Sequence, residues 1–342
     1  MLEESVEGSS QQRTVHAARP RIRLGWEHGL YILLIVLALA SRLWGLGDRV
    51  QSHDESIHSR YSWNLATGRG FAHDPMMHGP SLFHITALSF FLFGDNDFTS
   101  RLPVALIGVA LVASPYLLRR QLGRAGALAA AGLLLISPAI AYYSRYIRHD
   151  IPLLLCEMIV VWALVSYLRD GRARWLNWLA AGVSLAFATM EAAFIYHAIF
   201  GFFLVGLFAV RAQQRPWSDE RLKPAFLGVL AGVPLGGALV ALGYGLRPPE
   251  AAGLPWYALG GAVLAGLALV GAAALLLLGV WRQLRAGPTH DPALGRVADL
   301  IVVLGTLCLP LLSALPIALV GLDPIDYSTP TLYYSSAITG VV

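Results

Sequence analysis

The sequence predicts an all-α polytopic membrane protein with about nine transmembrane helices and a long first outer loop carrying interfacial helices. Three observations lead there. Of the 342 residues, 56% are hydrophobic and only 13% are charged, against about a quarter charged in soluble domains. Apolar runs of spanning length alternate with short polar segments, and mean hydropathy is +0.60. The basic residues fall in clusters between those runs, where they act as topology signals. A net charge of +4 therefore forms no continuous basic face, and no nucleic-acid partner is expected. Cys156 and Cys308 each sit inside an apolar run without C-x-x-C spacing, which predicts burial rather than a disulfide or a thiolate metal site.

Residues 1–28 are polar, carry Arg13, Arg19, Arg21 and Arg23, and read as a cytoplasmic tail. The run 29–47 is the first transmembrane helix, roughly 28 Å long at about 1.5 Å per residue. The basic tail and Ala38-Leu39-Ala40 also fit a cleaved signal peptide, but the many later spans favour an uncleaved helix. Residues 48–100 form the outer loop. Within it, 81–93 is apolar but only roughly 20 Å long as a helix, too short for a bilayer core of about 30 Å, and is placed in the interface. Residues 101–322 form the transmembrane bundle, with spans expected at 102–118, 125–143, 151–168, 225–245, 256–281 and 298–320. The run 175–210 would be roughly 54 Å long as one helix. It is therefore expected as two, broken near Met190-Glu191. Residues 323–342 read as an outer loop cut short.

The positive-inside rule supports this assignment. With 81–93 not crossing, the tail and the clusters around Arg119, Arg169, Arg211 and Arg282 all fall on the cytoplasmic side. The outer face then collects the outer loop, the hinge from Tyr143 to Asp150 and the Met190-Glu191 break.

The titratable residues converge on that face. Asp54 and Glu55 follow the first span, flanked by His53 and His58; a carboxylate there can take a proton from an incoming hydroxyl. The same stretch, Ser52-His53-Asp54-Glu55, fits an S-x-x-E capping box opening a helix whose apolar stripe would be Ile57, Tyr61 and Leu65. Arg145 and Arg148 at a hydrocarbon boundary suit phosphate oxygens, or snorkel to lipid headgroups. Asp150, two residues before Pro152, also fits a helix N-cap. Arg101 opens a span from the outer side against the charge rule, and Glu191 is an acid at a helix break with His197 nearby. His78-Gly79-Pro80 reads as a turn aiming the chain back to the membrane. The histidines of the outer loop leave a divalent cation open, although neither His53/His58 nor His73/His78 has the i, i+4 spacing of helix-borne zinc ligands, and no metal site is assigned.

These residues resemble a known family. Asp54-Glu55 after the first span, His73-Asp74-Pro75-Met76-Met77-His78-Gly79-Pro80, Phe93-Gly94, Arg101-Leu102-Pro103, and Ser137-Pro138 followed by Tyr143-Ser144-Arg145 and Asp150 look like the GT-C membrane glycosyltransferases. The likeness extends over about residues 28–200. It is nearest to the dolichyl-phosphate-mannose protein mannosyltransferase-like group and, within it, the prokaryotic branch named as flippase activity-associated. The resemblance implies a GT-C-like fold and transfer of a sugar from a polyprenyl-phosphate donor to an acceptor of unknown identity on the extracytoplasmic face, in contact with membrane lipid. It implies Asp54 as base and Glu55 as an acceptor-positioning acid. It implies substrate binding by Arg145 or Arg148 with Asp150 orienting them, to which the residue reading adds Arg101, His78 and Glu191. No cofactor is implied. Many relatives carry a lysine at the break in the long segment, where this chain has Met190.

Two other functions fit a polytopic chain. A transporter would place its ionisable residues at mid-depth and show repeat symmetry; here they cluster at one face and no inverted repeat is visible. A non-catalytic subunit of a glycan-assembly or flippase machine is favoured by Met190.

Overall fold

The computed structural model describes residues 25–71, 77–213, 221–246, 255–286 and 292–308. Most of the expected tail, the whole of the expected outer loop at 323–342, and the pair His73-Asp74 lie outside the described residues. Every described element is helical. In chain order these are α1 (Trp26–Leu43), α2 (His53–Ala66), α3 (Ser81–Phe93), α4 (Asp97–Ala113), a 3-10 turn (Ser114–Leu118), α5 (Arg119–Ile136) and α6 (Pro138–Tyr143). They continue as α7 (Asp150–Asp170), α8 (Arg174–Phe187), α9 (Ala193–Gln213), α10 (Leu222–Leu230), α11 (Gly232–Gly245), α12 (Trp256–Ala286) and α13 (Pro292–Cys308).

Among the described residues, four segments are long and apolar enough to cross a membrane: Trp26–Leu43, Asp97–Ile136, Asp150–Asp170 and Pro224–Gly243. Ser81–Phe93, Ala193–Phe208 and Trp256–Ala272 are shorter apolar helices. The segment Asp97–Ile136 is a hairpin. Its first end lies by the C-terminal end of α1, where Gly47 packs on Phe98. Its middle lies by the N-terminal end of α1, where Tyr116 packs edge-on against Tyr31 and Arg124 meets Glu27. Its far end returns to Arg42, whose guanidinium donates to the carbonyls of Leu134 and Leu135. Gly123 makes the reversal with φ 74°, a left-handed conformation that glycine adopts at little cost.

The long segment after Arg174 breaks between α8 and α9, at the expected place. The carbonyls left unpaired at the end of α8 are satisfied from outside the helix. Gly79 N–H donates to Thr189 O at 3.1 Å and Ser81 N–H to Ala188 O at 3.0 Å. The helix expected at 225–245 is instead divided at Ala231 into α10 and α11. Pro234 has no N–H to donate to the carbonyl four residues back, which weakens the helix at that turn.

The two largest apolar clusters among the described residues hold the bundle. One joins α7, α8, α9 and α13 through Leu164, Leu179, Leu204 and Leu300. The other joins α3 and α4 to the start of α7 through Leu82, Val104, Leu111, Ile147 and Ile151, directly beneath the hinge that carries Arg148. Arg169, Arg211 and Arg296 gather at the opposite end of α7, a helix of 21 residues and so roughly 30 Å long. There Arg296 donates to the carbonyls of Leu168 and Arg169, and Arg211 to that of Ala293.

The buried face of α2 differs from the expected Ile57, Tyr61 and Leu65 stripe. Those three are half-buried, and the helix buries Glu55, His58 and Ser62 instead. A polar line goes inward because each member finds a partner there. Glu55 meets Arg101, His58 stacks on Phe83 at 5.3 Å, and Ser62 donates to the His58 carbonyl.

Candidate active site

Ser52 caps α2 as expected. Its hydroxyl accepts from Glu55 N–H, and the Glu55 carboxylate accepts from Ser52 N–H at 3.1 Å. That carboxylate does much more. Arg101 grips it with two parallel bonds, Nε to Oε1 at 2.8 Å and Nη2 to Oε2 at 3.0 Å. Arg49 Nη2 adds a third at 2.9 Å, and Ile147 N–H approaches Oε1 at 3.4 Å from the hinge. Arg101 in turn donates to the carbonyls of Leu46 and Arg49. Glu55 is 0% exposed and Arg101 1%. Burial alone would raise the Glu55 carboxyl, but the Arg101 and Ser52 hydrogen bonds and the charges of Arg101 and Arg49 outweigh it and hold it below the usual carboxylate range. One acid thus ties the segment after α1, the start of α2, the start of α4 and the hinge together.

Asp54 points the other way. Its side chain is 51% exposed, and Oδ2 lies 3.8 Å from Arg148 Nη1. The same guanidinium reaches Asp150 Oδ2 through Nε at 3.2 Å. The helix N-cap position expected for Asp150 belongs to His149, because the Asp150 carboxylate turns to Arg148 instead of the helix backbone. Arg148 is 36% exposed and sits between two carboxylates that leave part of its fork open to solvent. A half-exposed carboxylate and a cation therefore stand side by side at one end of the bundle.

Beside them, three imidazoles pack in a row. His149 lies 5.1 Å from both His58 and His78, ring centre to ring centre. His149 Nε2 donates to Gly79 O at 3.1 Å, and His58 Nδ1 donates to Asp54 O at 2.7 Å. A carbonyl only accepts, so each bond fixes the tautomer. Burial, then the charge of His58, pushes the His149 imidazole down to about 3; the bond to Gly79 offsets this only partly, and His78 and Arg148 push the same way. Burial also lowers His58. His78 occupies a left-handed conformation, φ 65°, and its Nδ1 meets both Glu191 oxygens at 2.9 Å. Gly79 follows because nothing larger fits: a Cβ there would lie 2.2 Å from the Ala188 carbonyl oxygen. The turn at His78-Gly79 is thereby clamped to the break between α8 and α9.

The structure brings Asp54, Arg148, Asp150, His78 and Glu191 to one face and gives two of the expected arginines other work. Arg101 is enclosed by Glu55 and two carbonyls. Arg145 donates to the carbonyls of Ser41 and Trp44 at 2.9 and 2.7 Å and of Gly45 at 3.1 Å. Those bonds close the C-terminal end of α1, where helix carbonyls lack intrahelical partners. Met190 packs among Leu153, Ala186 and Ala193. Sequence reasoning missed Arg49, which packs over Tyr146 and Tyr142 while bonding Glu55. It also missed Tyr146, whose hydroxyl bonds Ser52. A lone arginine six residues before the acid was the available signal. Among the described residues, no group of three or more His, Cys, Asp or Glu is placed to hold a metal.

Comparison with known families bears on this arrangement. Residues 77–234 match the family Dolichyl-phosphate-mannose-protein mannosyltransferase. This mannosyltransferase-like region covers less than half of the chain, running from the turn at His78 into α11. It contains Arg148, Asp150 and Glu191 and leaves Asp54 and Glu55 outside, on the helix before it. A search of curated proteins returns no matching relative. The match and the four candidate spans indicate an integral membrane protein.

Proposed function

We propose that this chain transfers a sugar from a polyprenyl-phosphate carrier to an acceptor hydroxyl on the extracytoplasmic face. The observation that carries the reading is the placement of Asp54 3.8 Å from Arg148, with Asp150 on the other side of the same guanidinium. Asp54 takes the proton from the acceptor hydroxyl as its oxygen attacks the anomeric carbon. The bond from that carbon to the phosphate oxygen breaks, and the lipid phosphate leaves with its charge facing Arg148. Asp150 holds the guanidinium in place. Glu55 and Arg101 position the base by fixing the first turn of α2. His78 and Glu191 approach the sugar hydroxyls from the α8–α9 break.

The likeness of residues 77–234 to dolichyl-phosphate-mannose-protein mannosyltransferases supports a lipid-linked donor, with mannose as the first sugar to test. In this reading the chain crosses the membrane about nine times, keeps its basic end in the cytoplasm and belongs with the prokaryotic flippase activity-associated branch. A second reading, a non-catalytic subunit, is favoured by the apolar packing of Met190 where relatives carry a cation.

The test is release of polyprenyl phosphate by the full chain in detergent, using a panel of polyprenyl-phosphate sugars and cell-envelope acceptors. Release that falls at least about a hundredfold in Asp54→Asn is expected of a base. Release equal in the variant removes Asp54 from the chemistry, and no release with any donor selects the non-catalytic subunit.

A further inference from the structure

At the end of the bundle remote from Asp54 lies a cavity of about 240 Å³ built where three helix ends meet. Its wall includes Arg119 and Arg120 from the start of α5, Arg169 from the end of α7 and Arg174 from the start of α8, with Trp162 and Trp175 completing one side. Four arginines line so small a space, three of them exposed and Arg119 half-buried, and their mutual repulsion favours an anion between them. Protein carboxylates supply little of it. Asp170 lies 3.6 Å from Arg169 and 3.9 Å from Arg172, and also accepts from Trp175 Nε1 at 2.6 Å. Among the described residues, no carboxylate lies within ion-pair distance of Arg119, Arg120 or Arg174. Arg119 Nη1 is buried without a hydrogen-bond partner among them.

The aromatic groups define what kind of anion fits. Arg119 lies over the Tyr116 ring at 4.0 Å and Arg174 over the Trp175 ring at 4.4 Å. Such stacking holds these guanidinium groups in fixed orientations. Trp162 and Trp175 meet edge to face at 4.9 Å. Tryptophan and tyrosine with arginine at the end of apolar helices are the groups that settle at the headgroup level of a bilayer. A phosphate there meets cations, and the glycerol and upper chain beside it meet the aromatic faces. We propose that this cavity binds the phosphate-bearing headgroup of an anionic membrane lipid. The site is separate from the candidate active site by the length of α7, and its occupancy ties α5, α7 and α8 together at their basic ends.

The experiment titrates the purified full chain in detergent with short-chain phosphatidylglycerol or phosphatidylcholine, reading the thermal midpoint against lipid concentration. Each basic residue near an anionic lipid surface contributes roughly fivefold, so the wild type should bind the anionic lipid roughly tenfold or more tightly than the zwitterionic one. Arg120→Gln combined with Arg174→Gln, both exposed, should abolish that preference. Arg172→Gln removes one charge next to the cavity but outside its lining and should keep it, as should Arg120→Lys combined with Arg174→Lys. Equal binding of the two lipids, or a double variant with its preference intact, overturns the proposal. Inorganic phosphate should leave the lipid titration unchanged; displacement of phosphatidylglycerol by phosphate at equal concentration would identify a free anion and overturn the assignment to a lipid.

Discussion

Asp54 keeps 51% of its side chain in solvent and faces Arg148 at 3.8 Å, whereas Glu55, the next residue, is 0% exposed and grips Arg101 at 2.8 Å. One step along a helix turns the side chain by about 100°, so two adjacent acids at the start of α2 face opposite sides. Each is drawn to a different arginine from a distant part of the chain. The inward acid has every oxygen engaged and no room for a substrate hydroxyl. The outward acid has one long ion pair and open space. Adjacent carboxylates of similar chemistry are thereby divided into an anchor and a candidate base by packing alone.

The largest expected effect belongs to the anchor. Glu55→Ala leaves Arg101 buried without its carboxylate, and removing one member of a buried pair costs about 3–5 kcal/mol; chemical denaturation of the purified chain measures it. Arg148→Gln should leave stability nearly unchanged but lower polyprenyl-phosphate release by roughly 10²–10³, the usual scale for losing one donor to a developing oxyanion. Gly79→Ala forces a Cβ to within 2.2 Å of the Ala188 oxygen. The resulting shift should cost about 1–3 kcal/mol while loosening His78 from Glu191. Ser52→Ala removes the cap, about 1 kcal/mol, together with the bond to Tyr146, and leaves the Glu55–Arg101 grip in place.

Acidity separates the two faces in another way. Burial, then the charge of His58, brings the His149 imidazole down to about 3 in the folded chain, against about 6.5 when unfolded. Between those values the unfolded state binds the extra proton, so stability present above about pH 6.5 declines as pH falls toward about 3. The depressed Glu55 carboxyl adds its own loss only as pH falls below about 4.3, its unfolded value. Melting profiles of His149→Gln should therefore be shallower than wild type between about pH 6.5 and 4.3, with the remaining slope there from the depressed His58, and keep the loss below.

Much of this face is legible in the sequence, for a physical reason. Charges are expensive next to hydrocarbon, so arginines and acids that break the positive-inside pattern stand out. Arg148, Asp150 and Glu191 do converge with Asp54 and His78. The capping box at Ser52 and the break near Met190 are local signals of the same kind. What the pattern does not reveal is which partner each charge takes. Arg145 and Arg148 are three residues apart and equally basic, yet one closes the end of α1 and the other faces Asp54. That choice depends on where α1 ends relative to the hinge, a contact between segments far apart in the chain. The row of imidazoles and the inward polar face of α2 are long-range in the same sense. The break at Ala231 was marked locally by Pro234.

The most direct test of the division of labour compares Asp54→Asn with Glu55→Gln in one preparation, measuring polyprenyl-phosphate release and denaturation side by side. That division predicts that Asp54→Asn loses at least about a hundredfold in release at wild-type stability, and that Glu55→Gln unfolds more easily while its folded fraction keeps most of the release. Release lost in Glu55→Gln at full stability, with Asp54→Asn active, would contradict it.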